Sequence, residues 1–184
     1  MTATEQLKAE HKAIKLMLRI LDKMCERLQS ANKVNPEHLE RVLEFLKVFA
    51  DKCHHAKEEE LLFPALENIG VPREEGPIGV MLAEHNKARE HVKGIGEGIA
   101  QYKAGDEGAA AKIVENVKAY IRILAAHIDK EDNVLYPVAD ARLPRSTQDE
   151  LVTKFDQIEN ERIGPGKHEE FHRMLENLKK VYLG

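Results

Sequence analysis

The sequence predicts an all-α protein: an antiparallel up-and-down four-helix bundle with a C-terminal helical extension. Apolar residues recur at spacings of three and four along four long segments, which is the period of amphipathic helices. No segment shows the alternation of apolar and polar residues that marks a half-buried strand. The turns between the first and second segments and between the third and fourth are short, which is typical of helices that pack antiparallel. We therefore expect the bundle at residues 1–142 and the extension, packed on it, at residues 143–184.

The first two predicted helices have clear start signals. Thr2 and Glu5 have the spacing of a capping box, and the first helix is expected over about residues 4–31. Asn35-Pro36 combines a favoured N-cap residue with proline at the first helical position, so the second helix is expected to begin there. A loop rich in glycine and proline follows at residues 70–79.

The third and fourth helices are predicted on either side of Gly105. The third begins near Ile78, and Asp106 is a candidate cap for the fourth. The chain breaks again at Leu143-Pro144, and a last helical stretch starts at about Thr147. We expect that stretch to be interrupted at residues 164–166, where the sequence is Gly-Pro-Gly.

Composition and charge exclude several classes of function. The 184 residues have a net charge of −4, which argues against nucleic acid as a partner. No apolar run is long enough to span a bilayer, so no membrane association is expected. The first residues lack the apolar core of a secretion signal, which favours the cytoplasm. The two cysteines form neither a disulfide framework nor a zinc-thiolate motif.

The sequence contains an internal repeat that is centred on histidines. The second helix carries HHAKEEELLFP from His54, and the fourth carries HIDKEDNVLYP from His127. A shorter motif, AEH, ends at His11 in the first helix and at His85 in the third. The histidines of the short motif are 74 positions apart and those of the long motif 73, so both pairs fit one duplicated hairpin.

The repeated polar residues fall on the apolar faces of their helices. Because residues four apart share a helix face, Glu58 follows His54, and Glu131 follows His127, into the predicted core. A buried carboxylate without a partner is costly, so two of them in one bundle require cations. Each short-motif histidine lies about as far from its turn as the histidine on the next helix, so the four imidazoles are expected to lie level. The six predicted metal ligands are His11, His54, Glu58, His85, His127 and Glu131.

The predicted donor set indicates which metals fit. Imidazole and carboxylate without thiolate suit iron or manganese, and also zinc. Two carboxylates that bridge favour a pair of metal ions, about 3.5–4 Å apart.

This constellation resembles the hemerythrin-like, or HHE cation-binding, family over residues 4–142. The resemblance implies a four-helix bundle that holds a non-haem di-iron centre. It also implies which residues serve each iron: His11 and His54 one, His85 and His127 the other, with Glu58 and Glu131 as bridges.

The sequence departs from the oxygen-carrying members of that family. They have a second histidine four positions after the one in the third helix, where this chain has Arg89. They also have an aspartate five positions after the histidine of the fourth helix; Asp132 stands there, with Glu131 one position earlier. The missing histidine opens a coordination position, which favours a centre that reacts with a small molecule over a reversible oxygen carrier.

We therefore expect two iron ions, with manganese or zinc as alternatives, in a centre that handles O₂, peroxide or NO in redox-stress defence or sensing. A redox partner protein is expected to reset the centre. One alternative is a non-enzymatic iron or oxygen sensor or an iron-storage module, and another is a helical interaction domain with a structural zinc. Whether the protein is an enzyme stays open at this point.

Further residues remain open as ligands or are assigned elsewhere. The open ones are Asp132, His55, His91, His168 and His172. His55 is expected at the rim of the site because its helical neighbours are charged. The HEEFH motif from His168 fits a zinc-protease signature, but no strand is predicted that could align a peptide. Residues expected to face solvent are Glu10 and Glu84, and those assigned mainly to packing are Cys53, Phe63, Tyr120 and Tyr136.

Overall fold

The computed structural model describes residues 1–30 and 33–184. Within these ranges the chain forms six helices and no strand, so the all-α prediction is confirmed. Helix α1 is Ala3–Gln29, and α2 joins α-helical Pro36–Phe45, π-helical Leu46–His55 and Glu58–Leu62, and α-helical Phe63–Asn68. Helix α3 is Pro77–Lys103, and α4 joins Ala109–Lys130, π-helical Glu131–Leu135 and Tyr136–Arg142. Helix α5 joins Arg145–Ile158 to π-helical Glu159–Ile163, and α6 is Lys167–Tyr182.

The helix starts follow the local sequence signals. The Thr2 side chain accepts a hydrogen bond from the Glu5 backbone N–H, and the Glu5 carboxylate accepts one from the Thr2 backbone N–H, which completes the capping box. Asn35 caps α2 by accepting from the Glu37 N–H at 3.0 Å. Asp106 accepts from the Gly108 N–H at 2.8 Å, just before α4 begins. The expected end of the first helix at residue 31 lies outside the described residues.

The first four helices alternate in direction, as an up-and-down bundle requires. Lys103, at the end of α3, pairs with Glu40 near the start of α2, so these helices run antiparallel. Asp140 near the end of α4 accepts a hydrogen bond from Thr4 at the start of α1, and these helices are antiparallel as well.

The interior of the bundle has two apolar clusters with a polar layer between them. One cluster contains Ile14 and Met17 of α1 together with Leu124 of α4. The other contains Leu7 of α1 and Leu135 of α4. His11, Glu58 and Glu131 are fully or almost fully buried and fall between these clusters along the chain, and the buried His127 precedes Glu131 by four residues. The apolar clusters close the polar layer from both ends of the bundle.

Each of the two C-terminal helices contributes a buried aromatic residue to one of the apolar clusters. Phe155 of α5 joins the cluster that contains Leu7, and Phe171 of α6 joins the one that contains Met17. Between α5 and α6, Gly164 and Gly166 adopt φ values of +93° and +79°, a backbone conformation that glycine reaches without strain. Within the described ranges, we find no helix with the length and apolar character needed to cross a bilayer.

Candidate metal centre

The structure brings the six predicted ligands together in the buried polar layer. Each is at most 1% exposed. Glu131 lies between two histidines: its Oε2 is 3.1 Å from Nε2 of His11, and its Oε1 is 3.0 Å from Nε2 of His127. Glu58 also lies between two, with Oε1 3.8 Å from Nε2 of His54 and Oε2 3.3 Å from Nε2 of His85. Each carboxylate thus connects a histidine of one repeat to a histidine of the other.

The polar residues form two adjoining groups that share Glu58. One group combines His11, His54, Glu58 and Glu131. The other combines His55, Glu58, His85 and His127. In each group, one nitrogen or oxygen per residue lies within 4.8 Å of those of the others, which is close enough for a common cation.

The π-helical segments carry most of these side chains on α2 and α4. Leu46–His55 contains His54 and His55, and Glu58 and Glu131 each begin a π-helical segment. A π-helical turn is wider than an α-helical one and rotates the side chains that follow it. Such turns are frequent at functional sites, and the 3.6-residue period of the sequence analysis does not account for them.

Each of the four predicted ligand histidines has a carboxylate beside Nδ1, the ring nitrogen that faces away from the centre. The Nδ1 atoms lie 2.7 Å from a carboxylate oxygen in His11, His54 and His85, and 2.9 Å in His127. The four carboxylates, in the same order, are those of Asp132, Glu10, Glu59 and Glu84. A carboxylate on one ring nitrogen is the usual support of a histidine that binds metal through the other.

The outer hydrogen bonds repeat in both halves of the chain. Glu10 holds His54 and is paired with Lys57. Glu84 holds His127 and is paired with Lys130 in the same way. The lysine of the repeated H-x-x-K-E motif thus supports the glutamate that orients the histidine.

The expectation that Glu10 and Glu84 face solvent is wrong. Glu10 is 4% exposed, and the side chain of Glu84 is 18% exposed. They lie next to His11 of α1 and His85 of α3 in sequence, but they contact histidines on the neighbouring helices. Helical periodicity does not report such a contact; the glutamate before His11 and His85 in both repeats was the available signal.

Tyr136 and Phe63 occupy equivalent positions of the repeat but contact the centre differently. The Tyr136 ring stacks on His11 at 5.4 Å between centroids, and Phe63 stacks on His85 at 6.0 Å. The Tyr136 hydroxyl donates to Oε1 of Glu58 at 2.5 Å and lies 3.3 Å from Nε2 of His11. Tyr136 is therefore part of the centre, in addition to the packing role that its repeat position predicts.

The residues present fit a cationic group. Among the described residues, buried atoms without a hydrogen-bond partner include Nε2 of His54, Oε2 of Glu58 and both carboxylate oxygens of Glu131. Buried polar atoms are normally satisfied, and a cation would satisfy these inward-facing nitrogens and oxygens together. Thiolates are absent from the cluster, and a set of imidazoles and carboxylates suits iron, manganese or zinc.

The electrostatics of the layer also favour positive charge. Burial opposes protonation of His11, but the carboxylates of Asp132 and Glu131 outweigh it and raise the pKa of the ring to about 9. His85 behaves in the same way: Glu58 and Glu59 outweigh burial and raise its pKa to about 9. The carboxylates create a potential that favours cations at these nitrogens.

A cavity of about 340 Å³ lies on one side of the bundle, beside His55. Its lining includes apolar Val92 of α3 and Tyr120 of α4, and it also includes His55. His55 is 2% exposed, so the expectation of a rim position was wrong about its burial. The neighbouring Asp51 accepts hydrogen bonds from Arg89, the residue at the site of the missing histidine.

The other open histidines lie apart from the two groups. His91 is 3.1 Å from Asn116 through Nδ1, and His168 lies 3.6 Å from Glu159 and packs on Phe49. His172 contacts His168 at 4.8 Å between ring centroids. Two further residues have supporting positions: Asp132 orients His11, and Cys53 is a buried thiol.

A comparison with known protein families agrees with this geometry. The profile of the Hemerythrin HHE cation binding domain matches residues 2–139. The chain belongs to this family. It is therefore a metal-binding hemerythrin-like protein, and the resemblance inferred from the repeated histidines is confirmed.

The relatives that match this chain are distant in sequence. An uncharacterised protein of Mycobacterium tuberculosis (strain ATCC 25618 / H37Rv) is 25% identical over 163 residues, which cover 89% of this chain and 63% of that protein. The iron-sulfur cluster repair protein YtfE of Escherichia coli O157:H7 is 26% identical over 140 residues, covering 71% of this chain and 64% of that protein. The chain thus spans less than two thirds of the length of these relatives. No solved structure matches the chain.

Proposed function

We propose that this hemerythrin-like protein holds two iron ions and reacts with O₂, peroxide or NO in redox-stress defence or sensing. The observation that carries the proposal is that Glu58 and Glu131 each lie between a histidine of one repeat and a histidine of the other. That arrangement is what two metal ions joined by bridging carboxylates require. The coordinating residues in this proposal are His11 and His54 for one ion, His85 and His127 for the other, with both glutamates shared.

The bound iron would supply the electrons for reduction of a small oxidant, and the chain prepares the surroundings. Asp132 and Glu84 orient the rings of His11 and His127 through their Nδ1 atoms. The apolar clusters above and below the layer exclude bulk water. The Tyr136 hydroxyl holds its proton against Oε1 of Glu58, and burial together with Glu131 and Glu58 raises the pKa of that phenol well above its usual value.

The cavity beside His55 supports a small substrate. Its volume of about 340 Å³ suits a small molecule better than a large metabolite, and its lining combines Val92 and Tyr120 with charged side chains such as those of Lys47 and Arg89. The relative named as an iron-sulfur cluster repair protein also supports iron as the metal. We propose a cytoplasmic location, a redox partner that returns electrons, and an extension from residue 143 that packs on the bundle.

A second candidate function is a sensor whose output is the C-terminal extension. Glu159 of α5 accepts a hydrogen bond from the fully buried Lys57 at 3.3 Å. Lys57 pairs with Glu10, which orients His54, so an unbroken chain of polar contacts joins α5 to the centre. A change in charge at the centre would act on α5 through this chain. Hydrogen exchange of α5 and α6 with and without iron tests it: equal protection in both states contradicts the sensor.

Rapid mixing tests the proposed reaction. Protein loaded with iron(II) without air is mixed separately with O₂, hydrogen peroxide and NO, and the absorption is followed. We expect a fast change with at least one of them and a slower one in V92F, which fills the cavity. The matched control is V80F, because Val80 lies on the same helix but is 47% exposed. Iron-loaded protein inert to all three molecules would contradict the proposal.

Turnover and metal removal separate the alternatives. Steady consumption of oxidant with an added reductant identifies an enzyme, and a single turnover favours a sensor or storage module. Unfolding on chelation of zinc, without any iron-dependent absorption, identifies a structural zinc site.

A further inference from the structure

His55 is a buried polar residue that the six-ligand scheme leaves without a role. It is 2% exposed, whereas the equivalent position of the other repeat is occupied by apolar Ile128. Nδ1 of His55 lies 3.3 Å from Oδ1 of Asp51. Nε2 has no hydrogen-bond partner among the described residues, although a buried ring nitrogen normally has one.

His55 shares one feature with the four histidines in the six-ligand scheme, a carboxylate beside Nδ1. Its Nε2 is the free atom. The ring stacks on His85 with 3.8 Å between centroids and an interplanar angle of 19°, and it lies 6.0 Å from His127. His55 also offers a nitrogen within 4.8 Å of ligand atoms from Glu58, His85 and His127.

We propose that His55 is a seventh protein ligand, the third imidazole of the metal ion held by His85 and His127. This inference rests on the two-metal function proposed above. It makes the two metal positions chemically unequal, because Ile128 cannot supply a donor in the other half. The chain has thereby replaced the histidine missing at Arg89 with one from a neighbouring helix.

The two proposed metal positions also differ in their surroundings. His55 lines the cavity together with Val92 and Tyr120, so the metal position with three imidazoles is the one that has a ligand in the cavity wall. The other position has the phenol of Tyr136 beside it instead.

Mössbauer spectroscopy of protein loaded with ⁵⁷Fe(II) tests the ligand. We expect two distinct quadrupole doublets in the wild type. In H55I, which copies the residue of the other repeat, only one doublet should change, and the affinity for one of the two ions should fall about tenfold or more. H55Q keeps a polar side chain and serves if H55I does not fold. H91Q is the matched control, because His91 contacts Asn116 away from the centre.

The outcomes distinguish this inference from the proposed function. Spectra and affinities of H55I and H55Q that equal those of the wild type would overturn the role of His55 and leave the iron pair intact. A wild-type chain that binds no iron would overturn both. Loss of one ion or a shift of one doublet, with H91Q unchanged, supports the ligand.

Discussion

Glu10 of α1 and Nδ1 of His54 on α2 lie 2.7 Å apart in the buried layer of the bundle. The carboxylate accepts the Nδ1 proton, which leaves the lone pair of Nε2 facing Glu58 and the centre. Burial opposes ionisation of Glu10, but His54 and Lys57 outweigh it and lower the pKa of the carboxyl group. The Glu10 carboxylate is therefore charged and holds the His54 ring in place before a metal ion binds.

Neutralising the carboxylates that orient the histidines should weaken metal binding without removing a proposed ligand. We expect E10Q and E84Q each to lower the affinity for iron(II) about 10–100-fold, because the histidine behind each becomes less basic and less firmly oriented. A competition titration with a chelator measures this. E90Q is the control, since Glu90 is exposed on α3. Wild-type affinity in both variants would show that these hydrogen bonds do not support ligands.

The two carboxylates that we propose as bridges should be indispensable to the proposed metal pair. The double variant E58A/E131A removes the residues that lie between the two repeats, so we expect it to lose both ions. Metal analysis of the purified protein measures the number per chain. The paired control E26A/E74A removes two exposed glutamates. Two ions per chain in E58A/E131A would refute the assignment of the site.

The Tyr136 hydroxyl should stabilise the fold of the metal-free protein more than that of the metal-loaded protein. Without a cation, its hydroxyl is a principal partner of the buried Glu58, and a hydrogen bond to a charged group contributes about 1.5–3 kcal/mol. We expect Y136F to lower the unfolding free energy by about this amount without metal and by less with it. Denaturant titrations measure both. Y182F, which removes the hydroxyl near His38 far from the centre, should respond equally in the two states.

The cysteines should be chemically silent in the folded protein. Burial and the nearby Asp22 raise the pKa of the Cys25 thiol to about 12, and burial and Glu10 do the same for Cys53. At pH 8 both are therefore protonated, and the thiolate is the reactive form. We expect no reaction with a disulfide reagent such as DTNB until the protein unfolds. Rapid titration of either thiol in the native state would contradict this expectation.

The parts of the centre that follow helical periodicity could be predicted from the sequence. His54 with Glu58, and His127 with Glu131, lie four apart on one face, and the repeat pointed to the histidines of the other helices. His55 was misplaced because it ends a π-helical segment, in which the angle between successive side chains differs from that of an α-helix.

Helical periodicity could not predict the carboxylates that orient the histidines, for a different reason. The partner of Glu10 is on a different helix, and a contact between helices depends on packing distance and register. Tyr136 was assigned to packing because its repeat equivalent, Phe63, has no polar atom on its side chain. Local spacing predicts which face of a helix is buried, but it does not predict which buried groups hydrogen-bond across that interface.

The most direct test of the account is the metal content and optical absorption of protein made in iron-replete cells and exposed to air. The six proposed ligands and the carboxylates that orient their histidines predict two iron ions per chain and the absorption bands of a coupled ferric pair. Zinc alone, or an intact helical fold without any metal, would contradict the di-iron centre and leave the repeated histidines without a function.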